Sequence, residues 1–180
     1  MADVATREFT IRRHFAASRR ALYRAWTEPA HLTWFFNPDE PRPDEPIEVD
    51  LRVGGAWRLR MVIDEHTDYL TGGVYREIVP HRRLVFAWGA VGGWPDLAEG
   101  IDDVPVVTVD FDDAEGDGRD GGALMTVTVT LPAHFADADA RRWLDYGIEG
   151  GWRDTMARLV PPGTDGAGTS SLRRIRGEPG

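Results

Sequence analysis

The chain contains no cysteine. That excludes disulfide staples, thiolate nucleophiles and Cys-ligated zinc or iron–sulfur clusters, and it fits a reducing compartment. No apolar run approaches the roughly 18 residues of a spanning helix, and charges occur within the first eight residues at Asp3, Arg7 and Glu8. Neither a signal peptide nor a membrane span is expected, and the expected location is cytoplasmic. His14, His31, His66, His81 and His134 are scattered without metal-ligand spacing, so no metal site is expected. A Gly-x-Ser-x-Gly elbow, a phosphate-binding loop and a dinucleotide fingerprint are all missing, which leaves hydrolase, nucleotide-triphosphatase and Rossmann readings without support and implies no cofactor. Positive charge is also scarce. With 21 basic against 30 acidic residues the net charge is −9, which disfavours nucleic acid and anionic lipid as partners.

What is present is an ordinary globular composition, 180 residues with 42% hydrophobic and 28% charged side chains, enough for one core. The expected organisation is one domain over residues 1–160, followed by a Gly-, Ser-, Thr- and Arg-rich tail over 161–180 with too little to bury to stay ordered. The basic island Leu172–Arg176 reads as part of that solvated terminus. Seven tryptophans are the marked enrichment. Each buries a large ring yet needs a partner for its indole N–H, so they belong in a core, a pocket or an interface.

Alternation of period two predicts a strand at Glu8–His14, with Phe9, Ile11 and Arg13 forming an imperfect apolar row. Ser18 is placed to cap a short helix carrying Leu22, Ala25 and Trp26, which Pro29 stops, and a second short helix follows over Ala30–Phe35. Six more strands are expected, beginning at Ile47–Leu51 and Trp57–Ile63 around the Gly54-Gly55 turn. They continue through Tyr69–Val79, Arg83–Trp88, Val104–Phe111 and Leu124–Leu131, with Val107, Val109 and Phe111 on one and Met125, Val127 and Val129 on the next as the inward rows. From a cap at Asp137 the period becomes 3.6, with Leu144, Ile148, Trp152, Thr155 and Leu159 on one stripe, ending before Pro161-Pro162. The fold class is α+β, a largely antiparallel sheet of seven strands covered by one long C-terminal helix.

Several local signatures then occur in a recognisable order. Phe15-Ala16-Ala17-Ser18 precedes the first helix, Trp26-Thr27-Glu28-Pro29 closes it and Trp34-Phe35 follows. Asp50-Leu51-Arg52-Val53-Gly54-Gly55 forms an Asp-x-Arg-x-Gly-Gly turn, Ile78 to Leu84 spans a strand–turn–strand segment, and Gly151-Trp152 to Leu159 closes the chain. Together, over residues 8 to 160, they resemble the Hsp90-ATPase-activator homologue family of the START-like superfamily. The resemblance implies the helix-grip fold, a curved sheet wrapped around the C-terminal helix, and an internal cavity for a small hydrophobic molecule.

The residues support such a cavity independently. Gly147, Gly150 and Gly151 fall within five positions of one helix, each costing about 0.8–1 kcal/mol relative to Ala, so close packing or open space is required there. The expected ligand-binding set is Trp34, Trp57, Leu59 and Met61 on the N-terminal half, then Tyr75, Phe86, Trp88 and Val107 on the central strands. Trp143, Leu144, Gly147 and Gly151 complete it from the helix. Tyr75 faces the cavity if its strand keeps phase with Gly73, and faces away if a bulge falls at Gly72-Gly73. The loops 89–103 and 112–122 are the expected seat of selectivity. Asp113 to Gly118 mimics the opening of a calcium loop, but position twelve is Leu124 rather than Glu, so an acidic hairpin loop is expected.

No catalytic dyad is visible, and ligand binding or sequestration of a lipid-, polyketide- or aromatic-type molecule is the leading expectation. A cyclase- or aromatase-like enzyme using Tyr75, Glu77 and Tyr146 as proton-transfer groups is the alternative. A self-resistance protein trapping a toxic natural product is a variant of the first reading, and a chaperone ATPase activator ranks last. The sequence leaves the oligomeric state open.

Overall fold

Alternation places one apolar row per strand on a common side of a pleated sheet, and that side must be covered. The computed structural model describes residues 7–115 and 122–163. Its elements are β1 (Glu8–Phe15), α1 (Arg19–Thr27), a 3-10 helix (Pro29–Phe35), β2 (Glu48–Val49), β3 (Ala56–Asp64) and β4 (Thr67–Val79). They continue with β5 (Arg83–Trp88), β6 (Val106–Asp113), β7 (Ala123–Thr130), α2 (Asp137–Asp145) and α3 (Ile148–Ala157). The strands form one antiparallel sheet in the order β1-β7-β6-β5-β4-β3-β2, so the first strand returns to pair with the last. This is the expected helix-grip α+β architecture, with each strand boundary within a few residues of its apolar row.

The inner rows are fully buried. Val107, Val109 and Phe111 on β6 and Met125, Val127 and Val129 on β7 are all inaccessible to solvent or nearly so. The N-terminal half of the cover is α1, whose Leu22, Ala25 and Trp26 face the sheet. Ser18 caps it by accepting from the Ala21 N–H at 3.1 Å. The Trp26 indole donates to Met125 Sδ at 3.3 Å, and the Trp34 indole donates to the Ala25 carbonyl at 2.8 Å, which locks the 3-10 helix onto α1.

The Asp-x-Arg-x-Gly-Gly segment has a backbone explanation. Gly54 turns with φ +83°, and a Cβ on Gly55 would lie 2.2 Å from the Asp50 carbonyl oxygen. Gly54 N–H donates to the Tyr75 carbonyl and Tyr75 N–H to the Gly55 carbonyl, tying the β2–β3 turn to β4. Further along β4, the register shift falls between Tyr75 and Glu77 rather than at Gly72-Gly73. Tyr75 therefore keeps phase with Gly73 and points inward.

Arg13, the residue that spoils the β1 row, closes the C-terminus of α3. Its guanidinium donates to the carbonyls of Met156 and Leu159 and stacks over Phe15 at 4.4 Å. A cation there satisfies orphan carbonyls and complements the negative end of the helix dipole. Burial holds the Arg13 pKa below its ordinary value.

Two expectations differ in detail. The C-terminal helical span is interrupted, because Gly147 adopts φ +76° and separates α2 from α3. A left-handed residue cannot sit inside an α-helix, and glycine accepts that conformation without a Cβ penalty. Ala136, not Asp137, occupies the position before α2; Asp137 lies in its first turn and pairs with Arg7 at 2.8 Å. Tail residues 164–180 and positions 116–121 of the acidic loop lie outside the described residues, and among the described residues no cluster suited to a metal ion occurs. No helix among them is long and apolar enough to cross a membrane.

Two substitutions separate these polar groups. Arg13→Ala is expected to lower stability by roughly 1.5–3 kcal/mol, because it strips two helix-end carbonyls of a charged donor. Tyr75→Phe removes a hydroxyl that is buried without a hydrogen-bond partner and is expected to leave stability unchanged or raise it by about 1 kcal/mol. Urea unfolding of the two variants beside the parent measures both.

Candidate functional site

The break at Gly147 decides where the sheet stays uncovered. Beyond it α3 carries Trp152 down onto the sheet, where its ring lies 5.3 Å from Trp88 and 6.0 Å from Phe35. The glycines on the adjoining face meet nothing: a Cβ added at Gly147, Gly150 or Gly151 would find no neighbouring atom within 4 Å. Close packing is therefore not why these positions are small. Gly147 and Gly151 instead form one side of a groove of about 460 Å³ between α3 and the open end of β3, β4 and β5. Gly150 lines no such space, and nothing in the structure explains it.

The opposite wall is aromatic. Trp88, at the inner end of β5, is fixed by its indole donating to Thr71 Oγ1 at 3.1 Å. Trp94 stacks edge-on to it at 5.1 Å and also meets Tyr69 at 5.8 Å. The loop that delivers Trp94 is held along β4: Gly89 N–H donates to the Gly72 carbonyl, and Trp94 N–H donates to the Leu70 carbonyl at 2.8 Å. Gly93 makes the approach possible, because a Cβ there would lie 2.2 Å from the Leu70 oxygen. Leu97 and Val104 of the same loop pack on Ala87 and anchor it to the sheet. At the mouth, Tyr146 is 60% exposed and Ile63 is 43% exposed, so apolar surface continues to the rim.

Along α3 the groove changes character. Beyond the glycines come Asp154, Thr155 and Arg158, facing Asn37 and Phe35. Thr155 Oγ1 is already committed to the Gly151 carbonyl at 2.8 Å. Asn37 donates to the Ile63 carbonyl at 3.2 Å, and Arg158 donates one N–H to the Phe35 carbonyl at 3.2 Å. Burial raises the Tyr69 pKa, so its phenol stays protonated and can only add a neutral donor or acceptor to the wall.

Of the twelve sequence-derived candidates, Met61, Trp88, Gly147 and Gly151 line this groove. Trp57, Leu59, Tyr75, Phe86 and Val107 lie beneath it, each at most 2% exposed, and fill the space in which a wider internal cavity was expected. The Trp57 and Phe86 rings meet at 5.4 Å, and a Cβ on Gly73 would strike Phe86 at 2.4 Å, so this part of the interior is solid. Trp34 floors a second groove of about 530 Å³ between the 3-10 helix and residues 158–162. Trp143 lines a third, smaller one of about 370 Å³ while packing against Trp94 at 6.1 Å. Leu144 is half-buried against the core and reaches none of these grooves. Trp94, Tyr69, Asn37 and Arg158 were not anticipated. For Trp94 the available signal was a tryptophan in the Gly92-Gly93-Trp94-Pro95 run, where a large ring on a glycine-rich loop requires a partner.

The sheet, the helical cover and the aromatic groove define a helix-grip protein of START-like architecture. The chain belongs to the family described as activator of Hsp90 ATPase homolog 1-like proteins, whose model matches residues 16–161. No sequence match is found among curated proteins. Among solved structures, a protein from Mycobacterium smegmatis is similar with TM-score 0.64 at 21% identity, covering 88% of this chain and 91% of its own. One from Nitrosomonas europaea has TM-score 0.60 at 20% identity, covering 85% and 91%. One from Plasmodium falciparum, described as an HSP90 activator, has TM-score 0.52 at 19% identity, covering 83% and 89%. At these identities the likeness concerns the fold.

The glycines yield a stability test. Gly150→Ala is expected to raise stability by about 0.5–1 kcal/mol, since helix propensity improves and no clash follows. Gly147→Ala is expected to lower it by roughly 1–2 kcal/mol through the left-handed backbone. Thermal unfolding of both variants gives the two signs.

Proposed function

We propose that the domain formed by residues 1–160 binds or sequesters a small hydrophobic molecule with a flat, aromatic- or polyketide-like body in the groove between α3 and the Trp88–Trp94 wall. The observation that carries this reading is the pairing of that wall with two glycines whose open side faces it across about 460 Å³. The volume lies within the usual range for small-molecule sites, about 300–1,000 Å³. A ring inserted there would replace water against apolar surface and gain the edge and face contacts that aromatic pairs favour. Trapping a toxic natural product would use the same groove and differ only in its occupant.

The enzymatic alternative draws less support. Of Tyr75, Glu77 and Tyr146, only Tyr146 lines the groove. Tyr75 is sealed in the core and Glu77 is exposed beyond the β4 bulge, so the three do not converge on one reacting atom. A chaperone-activating role rests on the family's description and on a neighbour that shares the fold, and it ranks last.

Filling the groove tests the reading. Gly151→Leu places a branched side chain where nothing is met within 4 Å of the Cβ, so folding is expected to persist with an unchanged or higher Tm. Titration with the fluorescent aromatic N-phenyl-1-naphthylamine is expected to show saturable binding to the parent and at least tenfold weaker binding to the folded variant. A parent that does not bind, or a variant that binds equally well, contradicts the proposal.

A further inference from the structure

The two ends of the groove differ chemically, and one charged side chain at its polar end has unused capacity. Arg158 follows the last turn of α3 and is half-buried. It spends one N–H on the Phe35 carbonyl, and among the described residues no carboxylate lies within ion-pairing distance. A guanidinium carries five N–H donors in a rigid fork, so most of its capacity is unspent in a partly desolvated place. The Phe35 carbonyl holds the fork where the groove meets the second one, since Arg158 and Asn37 line both. Asp154 is the acidic group on the same wall; it is exposed and lies one helical turn before Arg158. In the second groove Arg42 and His31 add basic groups and Glu40 an acidic one.

We infer that the ligand is an acidic aromatic molecule, its rings between Gly147/Gly151 and Trp88/Trp94 and its anionic group, a carboxylate, sulfonate or ionised phenol, on the Arg158 fork. This rests on the binding role proposed for the same groove and adds the polarity and direction of the occupant. A fixed guanidinium gives charge-assisted hydrogen bonds to such an anion, two in parallel where a carboxylate or sulfonate presents two oxygens, with little ordering cost because the fork is already held. Asp154 works against an anion at this position. It sets an upper limit on affinity that its removal lifts.

A matched probe pair separates the charge from the rings. 8-Anilinonaphthalene-1-sulfonate and N-phenyl-1-naphthylamine share one aromatic skeleton and differ by a sulfonate. The parent is expected to bind the sulfonate roughly tenfold or more tightly than the neutral probe, the scale of a charged hydrogen bond. Arg158→Gln is expected to erase that ratio while leaving neutral-probe binding within about twofold, and Arg158→Lys to restore only part of it because the fork is lost. Asp154→Asn, an exposed change, is expected to tighten sulfonate binding severalfold and leave the neutral probe unmoved. Equal binding of the two probes by the parent, or a ratio insensitive to Arg158→Gln and Asp154→Asn, overturns the acidic-ligand inference and leaves the groove reading standing. Failure of both probes to bind the parent overturns both.

Discussion

A chain that enters the left-handed region at one residue cannot carry an α-helix through it, so Gly147 at φ +76° forces the C-terminal cover to be two helices rather than one. The sheet offers a continuous inner row from Trp57 to Trp88, yet the cover is tight only where α1, the 3-10 helix and the buried face of α3 supply Trp26, Phe35 and Trp152. Where Gly147 leads into α3 and Gly151 follows on it, no side chain descends to fill the gap. The groove exists because backbone conformation and missing side chains coincide at the same end of the sheet.

Aromatic packing distributes the remaining space. Trp26, Trp57 and Phe86 consolidate the centre into a solid core, which removes room for a deep chamber. Trp88 lies at the boundary. It packs on Trp152 toward the core and on Trp94 toward solvent, so one ring belongs to both stability and recognition. The loop carrying Trp94 is tied to β4 by backbone hydrogen bonds and to Ala87 by Leu97 and Val104, which gives an otherwise irregular segment a fixed position. The polar end is built differently, from Arg158 and Asn37, each bonded to a backbone carbonyl.

The fold was legible because its information is periodic and local. Alternation from Phe9 to Val129, the Ser18 cap and the Gly54-Gly55 turn each specify backbone geometry within a few residues, and the pairing then follows from neighbouring strands. The site was legible only where local rules touch it. Three glycines in a helix announce missing bulk, but periodicity cannot say which glycine leaves the helical region, and Gly147 resembles Gly150 until the chain is folded. The inward rows of Trp57 and Phe86 followed from alternation alone, whereas the direction of Tyr75 turned on where the β4 bulge falls. Whether an inward ring fills the core or faces a void depends on what descends from the opposite side, a long-range fact absent from any single segment. Arg13 shows the same limit: its charge spoiled an apolar row, and its partners lie 143 and 146 positions away, in the last turn of α3 and just past it.

The chain's seven tryptophans supply their own reporters, one indole N–H each. The most direct measurement is a titration of uniformly 15N-labelled protein with N-phenyl-1-naphthylamine, followed at those indole resonances. The indoles of Trp88, Trp94 and Trp152 should shift together along one saturation curve while Trp26, Trp57 and Trp34 hold still. Movement confined to Trp34, or movement of none, would contradict a binding groove between α3 and the Trp88–Trp94 wall.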